Sequence, residues 1–274
     1  MSITEKNDAK KVFRKLGTCS RTFTYLLNRE FGNTDELHER AADPLAGGIF
    51  QNGYQCGMLW GSSLAVGAEA YRTYPEIEMA IPITVLATQN IMKSYSESED
   101  TFLCKDVTQC DFKNKWSFAK YMISGRFLYC FKLAEKWAPK AIEAAKKGLN
   151  HDQSSVVFSS SNCASETARR LGASKEQMVM VAGFAGGLGL SGSACGALSA
   201  AIWMRTIKWC TENPKKTSMS NPYAKATIEE FDQATDGRIL CADLANRSFN
   251  TFEDHIEYMK EGGCANLITA LTPA

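Results

Sequence analysis

Four cysteines recur in the same order in the two halves of this chain of 274 residues. The first half contains Cys19, Cys56, Cys104 and Cys130, and the second contains Cys163, Cys195, Cys241 and Cys264. The successive gaps are 37, 48 and 26 residues in the first half and 32, 46 and 23 in the second. Thiolates bind soft metal ions, hold iron–sulfur clusters and exchange disulfides. The duplicated set therefore makes metal or redox chemistry the leading hypothesis.

The residues around these cysteines repeat with them. The segment around the second cysteine keeps one register in both halves, in which Ala46, Gly47, Gly48, Gly53, Cys56, Gly57 and Leu59 match Ala185, Gly186, Gly187, Gly192, Cys195, Gly196 and Leu198. Phe118 and Phe252 both lie twelve residues before the fourth cysteine. The period is about 140 residues, which indicates a duplicated domain at 1–150 and 151–274. We expect the two units to pack about a pseudo-twofold axis.

Four thiols per half is the number that a [2Fe–2S] or a [4Fe–4S] cluster requires. The spacing allows one cluster per half, or eight cysteines converging on one larger or paired cluster. Two alternatives remain open, namely cluster-free thiol–disulfide chemistry and a zinc- or copper-binding module. The sequence does not decide between an electron carrier and an iron–sulfur oxidoreductase. No CxxC spacing occurs, so a compact zinc ribbon or thioredoxin motif is absent from the sequence.

The glycines before each second cysteine are candidates for contact with a cofactor. They are Gly48, Gly53 and Gly57 in the first half, and Gly187, Gly192 and Gly196 in the second. Glycine also supplies positive φ or close helix contacts, which is the structural alternative. The segment 187–192 fits GxGxxG, but no strand precedes it, which disfavours a nucleotide loop. We prefer close approach of the backbone to a metal cluster.

The elements that must position these residues are predicted to be helices. Apolar periodicity indicates helices at 21–31, 131–147, 164–171 and 196–210, with a linker at 148–160. Strand patterns are few, so the expected fold is all-α. Several of the cysteines come just before a predicted helix. Free N–H groups and the dipole at a helix N-terminus favour a thiolate, so we expect lowered thiol pKa values and N–H···S bonds.

Composition excludes some classes of function. The net charge of +1 gives no electrostatic basis for nucleic-acid binding. No apolar run is long enough to span a bilayer, and Pro82 interrupts the longest candidate at 79–92. The start of the chain lacks the apolar core of a secretory signal, so we expect a cytoplasmic protein, where structural disulfides rarely persist. We expect a monomer that imitates a dimer, or a homodimer, with an unidentified redox partner protein.

Most of the other reactive residues have no matching residue in the other half of the chain. Cys110 and Cys210 have no counterparts and are interpreted as core residues. The histidines His38, His151 and His255 do not match across the repeat, and His255 is the best ligand candidate among them. Asp106 and Asp243 do match, either as local helix caps or as hydrogen-bonding groups behind a ligand.

At these positions the chain resembles the C-GCAxxG-C-C family of redox-active proteins. The second copy has Asn162-Cys163-Ala164, then Cys195-Gly196-Ala197-Leu198-Ser199-Ala200, then Cys241 and Cys264. The first copy has Thr18-Cys19-Ser20, then Cys56-Gly57-Met58-Leu59-Trp60-Gly61, then Cys104 and Cys130. Met58 and Ala200 depart from the central element at packing positions. The family is also similar to the cluster-bearing part of split-Soret cytochromes c, which implies iron–sulfur binding but no substrate.

Overall fold

The computed structural model describes residues 7–151 and 157–273, and these form fifteen α-helices and no strands. The first half contains α1 (Ala9–Leu16), α2 (Cys19–Phe31), α3 (Glu36–Ala41), α4 (Gly57–Thr73), α5 (Ile77–Ser96), α6 (Cys104–Thr108), α7 (Lys115–Ile123) and α8 (Phe127–Leu149). The second contains α9 (Cys163–Arg170), α10 (Lys175–Met180), α11 (Gly196–Glu212), α12 (Pro222–Thr235), α13 (Cys241–Ala245), α14 (Phe252–Lys260) and α15 (Ala265–Leu271). The predicted all-α class is confirmed.

The four helices predicted from periodicity correspond to α2, α8, α9 and α11. Polar side chains begin several helices by accepting hydrogen bonds from free N–H groups, as Asn162 does for α9 and Asn221 for α12. Gly17 and Gly32 end α1 and α2 with positive φ. The predicted linker at 148–160 begins too early, because α8 continues to Leu149; positions 152–156 lie outside the described residues.

Two long helices contain a proline. Pro82 in α5 and Pro139 in α8 each lack an N–H, which leaves the carbonyl four residues earlier without its helical donor. The carbonyl of Glu78 instead accepts from the Ser159 N–H at 3.1 Å. The carbonyl of Glu135 accepts from Asn7 Nδ2 at 2.5 Å. Both helices therefore continue through proline because another segment satisfies the released carbonyl.

Each half packs one short helix against the other half. In each half a short helix, α3 or α10, is followed by a 3-10 turn, Asp43–Leu45 or Ala182–Phe184. Helix α3 packs on α11 of the second half, and α10 packs on α4 of the first half. Such reciprocal contacts are those of an isologous, twofold interface. The chain is a tandem duplication of a helical unit, and one continuous hydrophobic core passes through both copies.

Candidate redox sites

Seven of the eight repeated cysteines stand at the start of a helix. Cys19, Cys104, Cys163 and Cys241 are the first residues of α2, α6, α9 and α13, while Cys56, Cys195 and Cys264 immediately precede α4, α11 and α15. Cys130 is the exception and lies in the first turn of α8. The predicted placement of the cysteines at helix N-termini is thus general to both halves.

The glycine-rich loop before each second cysteine has an unusual backbone. Residues 47–51 all have positive φ, between 51° and 74°, and residues 186–190 repeat this with φ between 60° and 82°. Positive φ is unfavourable for residues other than glycine, and Ile49 is β-branched. The loop is fixed by backbone hydrogen bonds such as Gly53 N–H to the Gly47 carbonyl (2.9 Å) and Gly192 N–H to the Gly186 carbonyl (2.9 Å).

An antiparallel bridge joins the second cysteine to the third in each half. The bridged residues are Gln55 with Leu103, and Ala194 with Leu240. In the first half the Cys104 N–H donates to the Tyr54 carbonyl at 2.6 Å, and in the second the Cys241 N–H donates to the Ser193 carbonyl at 2.6 Å. Two cysteines that are far apart in sequence are therefore held side by side by the backbone.

The glycines predicted to contact a cofactor have mostly structural roles in the loops. A Cβ atom at Gly48 would lie 2.3 Å from the Tyr54 nitrogen, and one at Gly187 would lie 2.6 Å from the Ser193 nitrogen. Gly196 lies against the Phe184 carbonyl.

The remaining three predicted glycines lie beside the cysteines or their helices. Gly53 lies against Lys105 of α6, and Gly192 against Ala242 of α13. Gly57 is the one next to a sulfur, since its Cβ would be 2.6 Å from Cys19 Sγ. Cofactor contact by these glycines stays a prediction.

The four cysteines of the first half come together. The Cys19 thiol lies close enough to Cys56 to be the main cause, ahead of burial, that raises the pKa of the Cys56 thiol. Burial, followed by the nearby thiols of Cys56 and Cys130, raises the pKa of Cys104. A cavity of about 280 Å³ opens between Cys19, Cys104 and Cys130. Its remaining lining includes five aromatic residues, Phe13, Phe112, Tyr121, Phe127 and Phe131.

The second half repeats this gathering. Burial is the main cause that raises the pKa of Cys163, and the other three cysteines of the set, Cys264, Cys241 and Cys195, add to it. The neighbours that raise the pKa of Cys241 are Cys195 and Cys264. The chain therefore contains two separate groups of four thiols, which we call the first and second cysteine sites.

The predicted lowering of thiol pKa values is wrong. Burial raises the pKa of Cys195 and of Cys130 to about 12. The helix N-termini do supply donors, because the Cys195 sulfur accepts from the N–H groups of Leu198 and Ala197, which partly offsets the burial. Removing the thiols from water outweighs these donors. The thiols with a raised pKa, such as those of Cys195 and Cys130, are thus protonated near neutral pH unless a cation takes the place of the proton.

A tyrosine contacts the fourth cysteine in each site, which the sequence did not indicate. Tyr121 Oη lies 3.8 Å from Cys130 Sγ. Tyr258 lies close enough to Cys264 for that thiol to add to the effect of burial, which raises the pKa of Tyr258 to about 12. Each tyrosine also packs against an equivalent phenylalanine, Phe112 at 5.5 Å or Phe249 at 5.2 Å between ring centroids. Both tyrosines lie seventeen residues after the third cysteine. The number of residues from the tyrosine to the fourth cysteine differs between the halves, so an alignment on the fourth cysteine does not pair the two tyrosines.

These contacts correct one alignment made from the sequence. Asn114 caps α7 and Thr251 caps α14, so the two helices superpose with Phe118 opposite His255 rather than Phe252. His255 is buried, and burial lowers its pKa to about 4. Its Nδ1 has no hydrogen-bond partner among the described residues.

The other candidates lie apart from the thiols or at their edge. Cys110 is buried and close enough to Cys104 to influence its pKa, so it lies at the edge of the first site. Cys210 lies in α11 near Asp43 and Arg40. Asp106 and Asp243 are exposed residues in the first turns of α6 and α13. His38 is hydrogen-bonded to Gln177 at 3.1 Å and pairs with Asp35, whereas His151 is exposed.

The donor set fits an iron–sulfur cluster in type and number. Within residues 7–151 and 157–273, no three histidine, cysteine or acidic side chains are arranged around a point that would hold a single metal ion. The four thiolates are shared among four irons in a [4Fe–4S] cluster and between two irons in a [2Fe–2S] cluster, so the four sulfurs need not meet around one ion. The residues that would hold such a group are the two sets of four cysteines.

Comparison with known proteins gives one family. The sequence model of the C_GCAxxG_C_C family, described as "Putative redox-active protein", matches residues 18–144 and again residues 158–272. No curated protein matches the chain, and no solved structure matches it. In the described part of the chain, no helix has the length and apolar character that a membrane span requires.

Proposed function

Because the chain belongs to the C_GCAxxG_C_C family of redox-active proteins, we propose that it binds two iron–sulfur clusters, one in each half, and transfers electrons through them. The observation that carries this proposal is the gathering of four thiols from the starts or first turns of four separate helices, twice in one chain. Eight thiols, five of them buried, with the same supporting loops are more than a single disulfide exchange requires.

When bound, such a cluster accepts and releases single electrons. The chain's own residues would hold it and exclude water from it. The phenylalanines around the first site, the N–H donors at the second cysteines and the tyrosines at the fourth cysteines all suit a negatively charged cluster of sulfur and iron. A reducing, cytoplasmic setting is part of the proposal, because free thiols persist there.

A second candidate function has one specific observation in its favour. The thiols of Cys19 and Cys56 are close neighbours, so they could form a disulfide with release of two protons and transfer of two electrons to an oxidant such as another protein's disulfide. This chemistry uses two of the four thiols at the first site and leaves Cys104 and Cys130 unexplained.

The deciding experiment is an iron and acid-labile sulfide assay on protein purified without oxygen. Cys56→Ser and Cys195→Ser should each remove about half of the iron and leave the other half bound. Cys210→Ser is the matched control, because this buried thiol lies outside both sites. Loss of all iron in either variant would contradict two independent clusters. A protein that takes up zinc or copper instead, or a colourless protein whose thiols disappear in pairs on oxidation, would contradict cluster binding.

A further inference from the structure

The surface over the first cysteine site differs sharply from its counterpart over the second. Trp116 and Ile123 on α7 are 87% and 88% exposed. Positions 116, 120 and 123 share one face of α7, and Tyr121 lies outside that face. Their structural equivalents on α14 are Glu253 and Lys260. The two copies of one helix therefore carry the same tyrosine beside a cysteine and present different kinds of residue, apolar on α7 and charged on α14, to solvent.

The charges differ as well. Residues 112–134 contain five cations and no acidic residue, and the exposed cations Lys113, Lys115, Lys120, Arg126 and Lys132 form, with Trp116 and Ile123, what we call the basic face. None of its four lysines is in an ion pair among the residues that the structure describes.

The corresponding segment 249–271 contains four acidic residues and one lysine, and its Glu253, Asp254, Glu257 and Glu261 form the acidic face. Lys120 and Glu257 occupy the same position on the two helices, so the charge is reversed at equivalent sites. The basic face, with its two apolar residues and its cations, is complementary in charge to this acidic face, and less so to another copy of itself.

We propose that the basic face of one chain docks on the acidic face of a second copy, in a head-to-tail contact. Exposed tryptophan and isoleucine side chains on a single helix mark a surface that gains from being covered. The partner's acidic face supplies the charges that the lysines lack within their own chain. Because α7 and α14 each carry the tyrosine that contacts the fourth cysteine, this docking sets the first site of one copy beside the second site of the next.

Sedimentation equilibrium on the full chain tests this contact. We expect association that increases with protein concentration and weakens as salt is raised, since the contact pairs opposite charges. Trp116→Glu together with Ile123→Lys, which installs the residues of the second copy, should weaken association at least about tenfold. Lys175→Glu on α10 is the control, because it reverses an exposed charge outside both faces.

Charge reversal identifies the orientation. Lys115→Glu with Lys120→Glu reverses the basic face, and Glu253→Lys with Glu257→Lys reverses the acidic face; each variant alone should be monomeric. An equal mixture of the two variants should associate again, because the reversed faces complement each other. Circular dichroism checks that each variant keeps its helices.

Three results would overturn the proposal: a wild-type chain that stays monomeric at all concentrations, reversed variants that associate like the wild type, or an association that strengthens with salt. The last would indicate pairing of two basic faces. These measurements need no metal, so they fail or succeed independently of the cluster proposal.

Discussion

At the scale of single residues, the tyrosine hydroxyls beside the fourth cysteines would tune the clusters that we propose. Tyr121 Oη is 3.8 Å from Cys130 Sγ, and a donor to a ligating sulfur stabilises the reduced, more negative state. Sequence comparison between the halves found the cysteines but missed these donors. The reason is that the chain between Tyr121 and Cys130 is three residues longer than the chain between Tyr258 and Cys264.

Tyr121→Phe should lower the reduction potential of the first site. Loss of one hydrogen bond of about 1 kcal/mol corresponds to roughly 40 mV for one electron. Redox titration of the iron-loaded chain measures the shift. Tyr129→Phe is the matched control, because Tyr129 lies on the same helical turn as Cys130 and donates to Glu99 instead of a sulfur. An unchanged potential would exclude Tyr121 as a tuning group.

Buried thiols also predict how the metal-free chain responds to pH. Burial raises the pKa of Cys195 to about 12 in the folded state, whereas an unfolded cysteine titrates near a pKa of about 8.5. The folded state therefore holds its proton more tightly, and its advantage is complete below the unfolded pKa and is lost as pH rises towards the folded one. We expect the unfolding free energy to fall by about 1 kcal/mol per such thiol between about pH 8 and 9.5.

Urea unfolding at these pH values measures this slope. Cys195→Ser removes one titrating group, so its slope should be shallower than that of the wild type. A slope that is identical in the two proteins would show that the Cys195 thiol does not have a raised pKa in the folded state.

Among the elements, helices were easier to predict than the loops that hold the cysteines. Periodic apolar residues gave α2, α8, α9 and α11 because burial of one helix face leaves that pattern in the sequence. The run of positive φ at 47–51 could not be predicted, since Ile49, Phe50 and Gln51 all disfavour it. Tertiary contacts, not local preference, impose that conformation. For the same reason, lowered thiol pKa values were expected from helix position, whereas burial, which only the fold reveals, raises them.

Gln51→Gly should therefore stabilise the chain. Gln51 is exposed and has a φ of 61°, so glycine relieves about 1 to 2 kcal/mol of backbone strain while losing part of that to its greater freedom when unfolded. We expect a net gain of about 0.5 to 1 kcal/mol in urea unfolding. Glu143→Gly, at an exposed position in the middle of α8, should instead destabilise by about 1 kcal/mol. Equal losses of unfolding free energy in the two variants would show that the backbone at Gln51 is not strained.

At the scale of the whole molecule, one side chain joins the two loops. Gln55 of the first half donates from Nε2 to the Gly187 carbonyl at 3.1 Å and accepts from the Ala194 N–H at 3.1 Å. The residue equivalent to Gln55 in the second half is Ala194, which has no side-chain amide. The second half therefore makes no matching hydrogen bonds to the first through this position. The duplication was evident from the sequence, but this link was not, because only one of the two copies carries the glutamine.

Gln55→Ala should destabilise the folded chain by about 1 to 3 kcal/mol, since it leaves the buried Ala194 N–H without a partner and removes one of the two donors to the Gly187 carbonyl, which keeps Ser191 Oγ. The loss should appear in one cooperative urea transition, because both halves share a single core. Gln233→Ala, on the exposed surface of α12, is the control and should change stability by less than about 0.5 kcal/mol. Two separate transitions would show that the halves unfold independently.

The exchange of α3 and α10 between the halves bears on how such a chain could arise. A single unit lacking its partner would leave the faces of α4 and α11 uncovered, so an ancestor with one copy of the gene would have had to exist as a pair of identical chains. In that ancestor every change of residue altered both surfaces at once. Fusion of the two genes removed that constraint. Lys120 and Glu257 occupy positions that correspond to a single position in one ancestral unit. After fusion these two positions could change separately, so two equivalent surfaces of the molecule could acquire opposite charges.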